Sequence, residues 1–381
     1  MDKKIDVTLL PVSEYPNSEA ALKHCSASPD ALVSDITEIA LRELFEIKAP
    51  QLKDNFSDDA YADFLAESQI VPDQYGNWVW YPWLNRLIKI PPKEDLRLIR
   101  TARNQLLVTP AEQTELFEKT ILIAGMSVGS NVLEQMVQGG IGGKYLIADM
   151  DVLEITNLNR IKSGLPAVVL PKVVVAARKA LELDPYLDFM MLDHGVNNEI
   201  LEAVFQKHAI DIVVDEVDDI SAKLTMRKIS KQYKKPLLMA TDNSDGAIID
   251  IERYDINPEQ VYFNHRLPDD ILEKMISGQL PREQAGAAIG KYFVGFDVVD
   301  NRLIYSLSQV RKTIPSWPQL GTAASMSGIL VAYAAKVIAL GGTLQSDRYI
   351  ASFDKAMNIA FTTEEYAQQR QELFAKMQAL A

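Results

Sequence analysis

Asp149, Asn157, Arg160, Lys172 and Asp218 are the residues whose types and spacing could do chemistry together, and they follow a glycine turn at Gly125, Ser127 and Gly129. Glycine lets a backbone approach a phosphate, a helix start offers it free N–H groups, and a carboxylate can hold a ribose hydroxyl. Arg160 and Lys172 can neutralise phosphates, while Asp218 can hold Mg2+ or orient a triphosphate through the metal. Hydride transfer has little use for a metal-binding acid beside two phosphate cations. A site that expels pyrophosphate uses all of them, because arginine, lysine and Mg2+ stabilise charge building on the leaving group. Asp151 and Asn159 lie in the run DVLEITNLNR, and Asp215, Glu216 and Asp219 surround Asp218. Singly, each cation reads equally well as a solvated residue near a helix start, and Asp218 as a loop cap. Their order behind one glycine turn is what singles them out.

These residues need elements to position them. The apolar run from Ile121 to Ala124 leads into the turn, a helix follows from about Ser130, and a second run, Tyr145 to Ala148, ends at Asp149. Strand, glycine turn, helix, strand, acid is the order of a dinucleotide or ATP site. The turn departs from G-x-G-x-x-G, with Ser127 standing where the second glycine would be. Apolar stretches at 188–192, 210–214 and 237–240 lack polar alternation, as buried strands of a mostly parallel sheet do. Helices are expected at 130–138, 172–183, 198–207, 220–233 and, rich in small residues, at 322–340. The runs 248–251 and 261–263 read as antiparallel strands. The fold class is therefore α/β, a Rossmann-like, mostly parallel sheet with an extra N-terminal domain. Asp149 and the 215–219 run then fall beyond the carboxyl ends of strands, where crevices form in open α/β sheets.

Upstream, residues 29–70 read as helices, with Leu32, Ile36, Ile39, Ala40, Leu44 and Ile47 at helical spacing. Trp78 and Trp80 alternate as in a strand after a Gly76-Asn77 turn. With Trp83 they form either a partner surface or, more simply, the closure of a small core. Thr109-Pro110-Ala111-Glu112 is a helix start, with threonine as cap and glutamate at the third position. The expected domains are a mainly helical one over 1–95, a nucleotide-binding one over 96–345 and a C-terminal extension over 346–381 ending in a helix.

From about residue 100 to 340 the chain resembles the ThiF/MoeB superfamily, adenylyltransferases of the ubiquitin-activating type. Asp149 matches that family's ribose-binding aspartate, and Asn157 and Arg160 match its N-x-x-R element on the nucleotide phosphates. Lys172 matches a further phosphate contact, and Asp218 the magnesium-associated aspartate. Arg103 matches an arginine that reaches into the neighbouring subunit's ATP site, with Arg100 as the first arginine of that segment. The resemblance implies ATP and Mg2+ as cofactors, with nucleotide binding by Gly125, Ser127, Gly129, Asp149, Asp151, Asn157, Arg160, Lys172 and Asp218. It implies catalytic roles for Arg160, Lys172, Asp218 and Arg103, and a homodimer with Arg103 acting in trans. The implied reaction is adenylation of a carboxylate, the C-terminus of a ubiquitin-like protein or peptide, releasing pyrophosphate. In the peptide-modifying branch of the family an extra N-terminal domain holds the substrate peptide.

The departures bear on function. The single cysteine, Cys25, excludes a zinc clamp of two C-x-x-C pairs and leaves no thiol after the nucleotide region for a thioester step. Two other readings stay open. A nucleotide-binding scaffold with a partner-binding N-terminal module is consistent with Ser127 and the absent zinc clamp. An NAD- or FAD-dependent oxidoreductase is allowed by the turn and Asp149, but leaves Arg160 and Lys172 without a role.

Across 381 residues the formal net charge is −13, which argues against a general nucleic-acid or anionic-membrane surface. No apolar run of transmembrane length and no signal segment is evident, so the chain reads as cytoplasmic, with neither nucleic acid nor membrane as partner. His24, His194, His208 and His265 are scattered singly and offer no metal site.

Overall fold

A computed structural model of the chain describes residues 5–281, 284, 288, 291–293, 299–358, 361 and 363–378. It divides into two compact units, Met1–Gln113 with Ala177–Leu187, and Thr114–Ala176 with Asp188–Ala381.

In the first unit the tryptophan tract lies in a four-stranded sheet of β1 (Thr8–Pro11), β2 (Leu32–Asp35), β3 (Asn77–Tyr81) and β4 (Arg86–Ile90), in the order β1-β3-β4-β2. Trp78 and Trp80 share one face of β3 and are buried with Leu10, Val12, Ala21 and Leu87. They close a core. The helical reading of 29–70 needs correction at its start, because Leu32–Asp35 pairs parallel with Arg86–Lys89. That long-range pairing satisfies backbone groups a helix would have satisfied locally, and the helix begins only at Thr37. Residues 177–187 belong with this unit through Tyr81 Oη, which donates to Leu181 O at 3.1 Å, and Trp83 Nε1, which donates to Glu182 Oε1 at 2.9 Å. Arg97 and Arg100 both reach the fully buried Asp184 at 3.3 Å.

In the second unit, β5 (Thr120–Ala124), β6 (Lys144–Ala148), β7 (Asp188–Leu192), β8 (Ile212–Asp215), β9 (Pro236–Asn243), β10 (Gly246–Arg253) and β11 (Asp347–Ser352) form one sheet. Its order is β11-β10-β9-β8-β5-β6-β7. The strands β5 to β9 run parallel, and β10 is antiparallel to both its neighbours. This is the expected Rossmann-like, mostly parallel sheet. Chain order reverses between β5 and β8, which makes their carboxyl ends the topological switch point where ligands bind in such folds.

Two expectations in this unit are corrected. The 261–263 run is not a strand but leads into a tight turn, Tyr262–His265, because Phe263 and Asn264 take left-handed backbone angles, φ +58° and +52°, that a strand does not contain. Phe263 N donates to Glu252 Oε2 at 2.9 Å and Asn264 Nδ2 to Ile251 O at 3.2 Å. The helix Gly321–Ala339 has the length and apolar composition of a membrane span, contrary to the reading that no such run exists. Here it packs on β9, β10 and the helix Gly129–Gly139, burying residues such as Ala323, Ala324, Val331 and Ala335. At Gly328 an added Cβ would lie 2.7 Å from the Asn131 carbonyl, so glycine sets how closely the two helices approach.

Candidate functional site

The turn after β5 is held by backbone contacts from both neighbouring strands. Gly125 has a φ of +90°, in the region that favours glycine. A Cβ there would lie 2.2 Å from the Glu216 carbonyl oxygen, so the loops after β5 and β8 touch at the switch point. Gly125 N donates to Ala148 O at 2.7 Å, tying the turn to the end of β6. Asp149 then laces it shut. Its Oδ2 accepts from Met126 N at 2.6 Å and its Oδ1 from Asp151 N at 2.8 Å. Each carboxylate oxygen keeps a second lone pair for another donor.

Arg160 lies on the same turn. Its Nε donates to Ser127 Oγ at 3.0 Å, and one terminal nitrogen donates to Thr156 O at 3.3 Å and Asn159 Oδ1 at 3.0 Å. The serine that interrupts the glycine pattern is thus an anchor for the arginine. Burial pulls the Arg160 guanidinium below its ordinary value, while the charges of Asp242, Asp218 and Glu154 act the other way. Asn131 Nδ2 donates to Arg160 O at 3.0 Å, and Asn159 Nδ2 donates to Gln319 O at 2.7 Å. Asn157 is buried, and its Oδ1 accepts from Glu154 N at 3.1 Å in a reciprocal cap of the turn Ile155–Asn157. Its side chain therefore shapes the segment that carries Arg160. Lys172, buried at the start of Lys172–Leu183, has its Nζ 2.8 Å from Asp151 Oδ2.

The acidic run after β8 divides by direction. Asp215 is fully buried, 2.6 Å from Arg227 and 3.3 Å from Lys223. Burial acts to raise its carboxyl, but the two cations outweigh this and hold it below the usual range. Arg227 also meets Glu252 at 2.9 Å and lies over the Phe263 ring at 3.9 Å, so Asp215 serves the core. Glu216 accepts from Ala240 N at 3.0 Å, and burial pushes its carboxyl well above its ordinary value. Asp219 caps the helix Ile220–Gln232 by accepting from Ala222 N at 2.9 Å. Asp218 alone of the run is exposed.

Sequence reasoning missed Asp242, near the carboxyl end of β9. It is buried, accepting from Ser327 Oγ at 2.8 Å and Gln319 Nε2 at 3.4 Å. Burial raises its carboxyl, Arg160 opposes the rise, and Asp218 adds to it, so these three charges share one neighbourhood. The available signal was positional: Asp242 follows an apolar strand run much as Asp149 and Asp215 do. Arg103 belongs to the first unit, exposed on the turn Ala102–Asn104, and is not among the residues the second unit gathers at the glycine turn. Arg100 is engaged with Asp184.

Comparison with known proteins places this arrangement. The Mycobacterium tuberculosis (strain CDC 1551 / Oshkosh) protein MT1398, itself uncharacterized, is 30% identical over 286 residues, which cover 75% of this chain and 39% of the relative. The Bacillus subtilis (strain 168) tRNA threonylcarbamoyladenosine dehydratase is 27% identical over 165 residues, covering 41% of this chain and 64% of the relative. The match therefore spans less than two thirds of either relative's length. Among solved structures, that of the Escherichia coli tRNA N6-threonylcarbamoyladenosine dehydratase aligns with a TM-score of 0.46 at 16% identity, covering 64% of this chain and 95% of that one.

The name of the Bacillus subtilis relative corrects one expectation. The Bacillus subtilis relative is named for a tRNA nucleoside, so a net charge of −13 does not exclude nucleic acid as a partner. Net charge sums the whole surface, whereas recognition depends on local cations. The ThiF family model matches residues 101–371, a span that holds the glycine turn and every charge gathered around it, and the chain belongs to the ThiF family.

Proposed function

We propose that the chain is an ATP- and Mg2+-dependent adenylyltransferase acting on a carboxylate, the C-terminus of a ubiquitin-like protein or of a peptide. The observation that carries this reading is Arg160, fixed on Ser127 of a glycine turn that Asp149 ties down from the other side. A guanidinium partly withdrawn from water at a phosphate-sized turn interacts more strongly with developing negative charge than one in solvent. The remaining lone pairs of Asp149 suit the ribose hydroxyls, and the N–H groups of the turn suit the phosphates. Lys172 supplies a second cation, shared with Asp151. Asp218, an exposed carboxylate beside Arg160, would hold Mg2+, which neutralises charge on the triphosphate. In the step itself an acceptor carboxylate oxygen bonds to the α-phosphorus, the α–β bridging P–O bond breaks, and pyrophosphate leaves with the electron pair.

The Lys172–Asp151 pair favours one competing reading, a nucleotide-binding protein without transfer, because a paired cation is less available to a phosphate. ATP–pyrophosphate exchange, with the acceptor identified by its gain of an adenylyl mass, separates the two. ATP binding without exchange for any adenylated product supports the scaffold. Arg160→Ala is expected to slow acyl-adenylate formation by more than it weakens ATP binding, at about 1.4 kcal/mol for each factor of ten. Full exchange activity in R160A removes Arg160 from the chemistry.

A further inference from the structure

A guanidinium carries its N–H donors in one rigid plane, and in Arg160 three hydrogen bonds engage two of its three nitrogens. Nε donates to Ser127 Oγ, while Nη1 donates to both Thr156 O and Asn159 Oδ1. Among the described residues Nη2 has no hydrogen-bond partner. The other end of the residue is held as well, because Asn131 Nδ2 donates to its carbonyl. A plane fixed on two edges presents its remaining nitrogen in a single direction.

Of the groups on the guanidinium, Ser127 belongs to the glycine turn and Thr156 to Arg160's own segment. Asn159 leads elsewhere. Its Nδ2 donates to Gln319 O, 160 positions along the chain and just before the helix Gly321–Ala339 begins. That helix start is seated on Asn159 from the other side too, since a Cβ added to Gly321 would lie 2.4 Å from Asn159 O. It is also pinned to β9. Gln319 Nε2 donates to Asp242 Oδ2 at 3.4 Å, and Ser327 Oγ donates to Asp242 Oδ1 at 2.8 Å. A merely solvated asparagine beside an arginine would bond to that arginine and to water. Asn159 instead bridges the guanidinium to a helix anchored on the sheet.

We propose that Asn159 is a positioning residue, which orders the Arg160 guanidinium before the nucleotide arrives by tying it to the start of the helix Gly321–Ala339. In this role Asn159 touches no phosphate and acts through Arg160. A long side chain left loose must be ordered when the ligand binds, which lowers affinity by about threefold to tenfold. An arginine already held by Asn159 spares the nucleotide that loss. The assignment rests on the reading of Arg160 as a phosphate contact, given above. Asn159 is itself exposed, so replacing it leaves the core intact.

Calorimetry on the full chain, with ATP and adenosine as probes, tests the role. Asn159→Ala is expected to weaken ATP by about threefold to tenfold. Adenosine, which carries no phosphate for Arg160, should stay within about twofold of wild type. In an Arg160→Ala background the same substitution should change ATP affinity by less than about twofold, because the group it acts through is gone. Gly321→Ala strains the bridge from the helix side and should reproduce this pattern. A general loosening of the segment would weaken adenosine as well and would persist without Arg160, and either result overturns the assignment. Where adenosine binds too weakly to measure, the comparison with R160A decides on ATP alone. N159A with wild-type ATP affinity, while R160A is weakened, overturns the positioning role and leaves the adenylation reading standing. R160A with wild-type ATP affinity removes Arg160 from the bound phosphates and also overturns the assignment, leaving pyrophosphate exchange to judge adenylation. The expected ATP pattern without exchange for any adenylated product overturns adenylation and supports the positioning role.

Discussion

Replacing Gly125 with alanine drives a methyl group into the backbone of the neighbouring loop. The new Cβ would lie 2.2 Å from Glu216 O, 2.4 Å from Glu216 C and 2.9 Å from Val217 N. No flexible side chain is there to swing aside, so the loop itself must move. The φ of +90° adds strain for any residue with a Cβ. Backbone strain of about 1–3 kcal/mol and overpacking of about 1–3 kcal/mol together give a destabilisation of roughly 2–6 kcal/mol. Domains are stable by only about 5–15 kcal/mol, so the effect should be plain in urea unfolding followed by circular dichroism. Asp218 rides on the displaced loop, and ATP affinity measured by calorimetry should fall as well. Gly129→Ala is the control. Its Cβ would meet side-chain atoms, Ile123 Cγ2 at 3.0 Å, Met126 Cε at 3.2 Å and, at ordinary contact distance, Glu216 Cβ at 3.7 Å. Those side chains can yield, and a stability change within about 1 kcal/mol is expected. A G125A protein as stable as G129A, with wild-type ATP affinity, refutes the contact between the two loops as the reason for glycine.

Asp149→Ala removes the acceptor of Met126 N and Asp151 N together with the proposed ribose partner, and should weaken ATP binding by about 1–3 kcal/mol. Unchanged affinity in the folded variant, measured by calorimetry, excludes Asp149 from the site. Arg227→Met leaves Glu252 buried without its cation and Asp215 with Lys223 alone, and should cost about 3–5 kcal/mol of stability, with partial recovery on adding Asp215→Asn. The Asp215 carboxyl is held low in the folded chain, so its contribution is present above the ordinary carboxyl range and lost as pH falls through its folded value. R227M should show a smaller acid-side decline, with the part due to Lys223 retained, and a urea midpoint–pH curve parallel to wild type contradicts the assignment. Glu216 has the opposite sign: its folded carboxyl is raised, so its contribution is present at low pH and lost as pH rises through the folded value. Glu216→Gln keeps an acceptor for Ala240 N without that loss, so its stability relative to wild type should improve from acid to mildly alkaline pH. A pH-independent difference shows that Glu216 is not raised.

The local order of strand, glycine turn, helix, strand and acid was legible in the residues, because side-chain period and turn chemistry act over a few positions. The reciprocal cap at Thr109 and Glu112 forms at 2.7 and 3.3 Å for the same reason. Only the tertiary structure decided what each charged side chain does. Asp215 and Asp218 are close in the chain, yet one is closed in by Arg227 and Lys223 while the other faces solvent beside Arg160. Leu32–Asp35 continues a helical apolar pattern but is drawn into a sheet by β4. Asp242 enters the site because strand order sets β9 beside β8, a neighbourhood no local pattern encodes. The residues determined which groups were available, whereas burial and long-range neighbours determined whether a carboxylate caps a helix, neutralises an arginine or waits for a ligand.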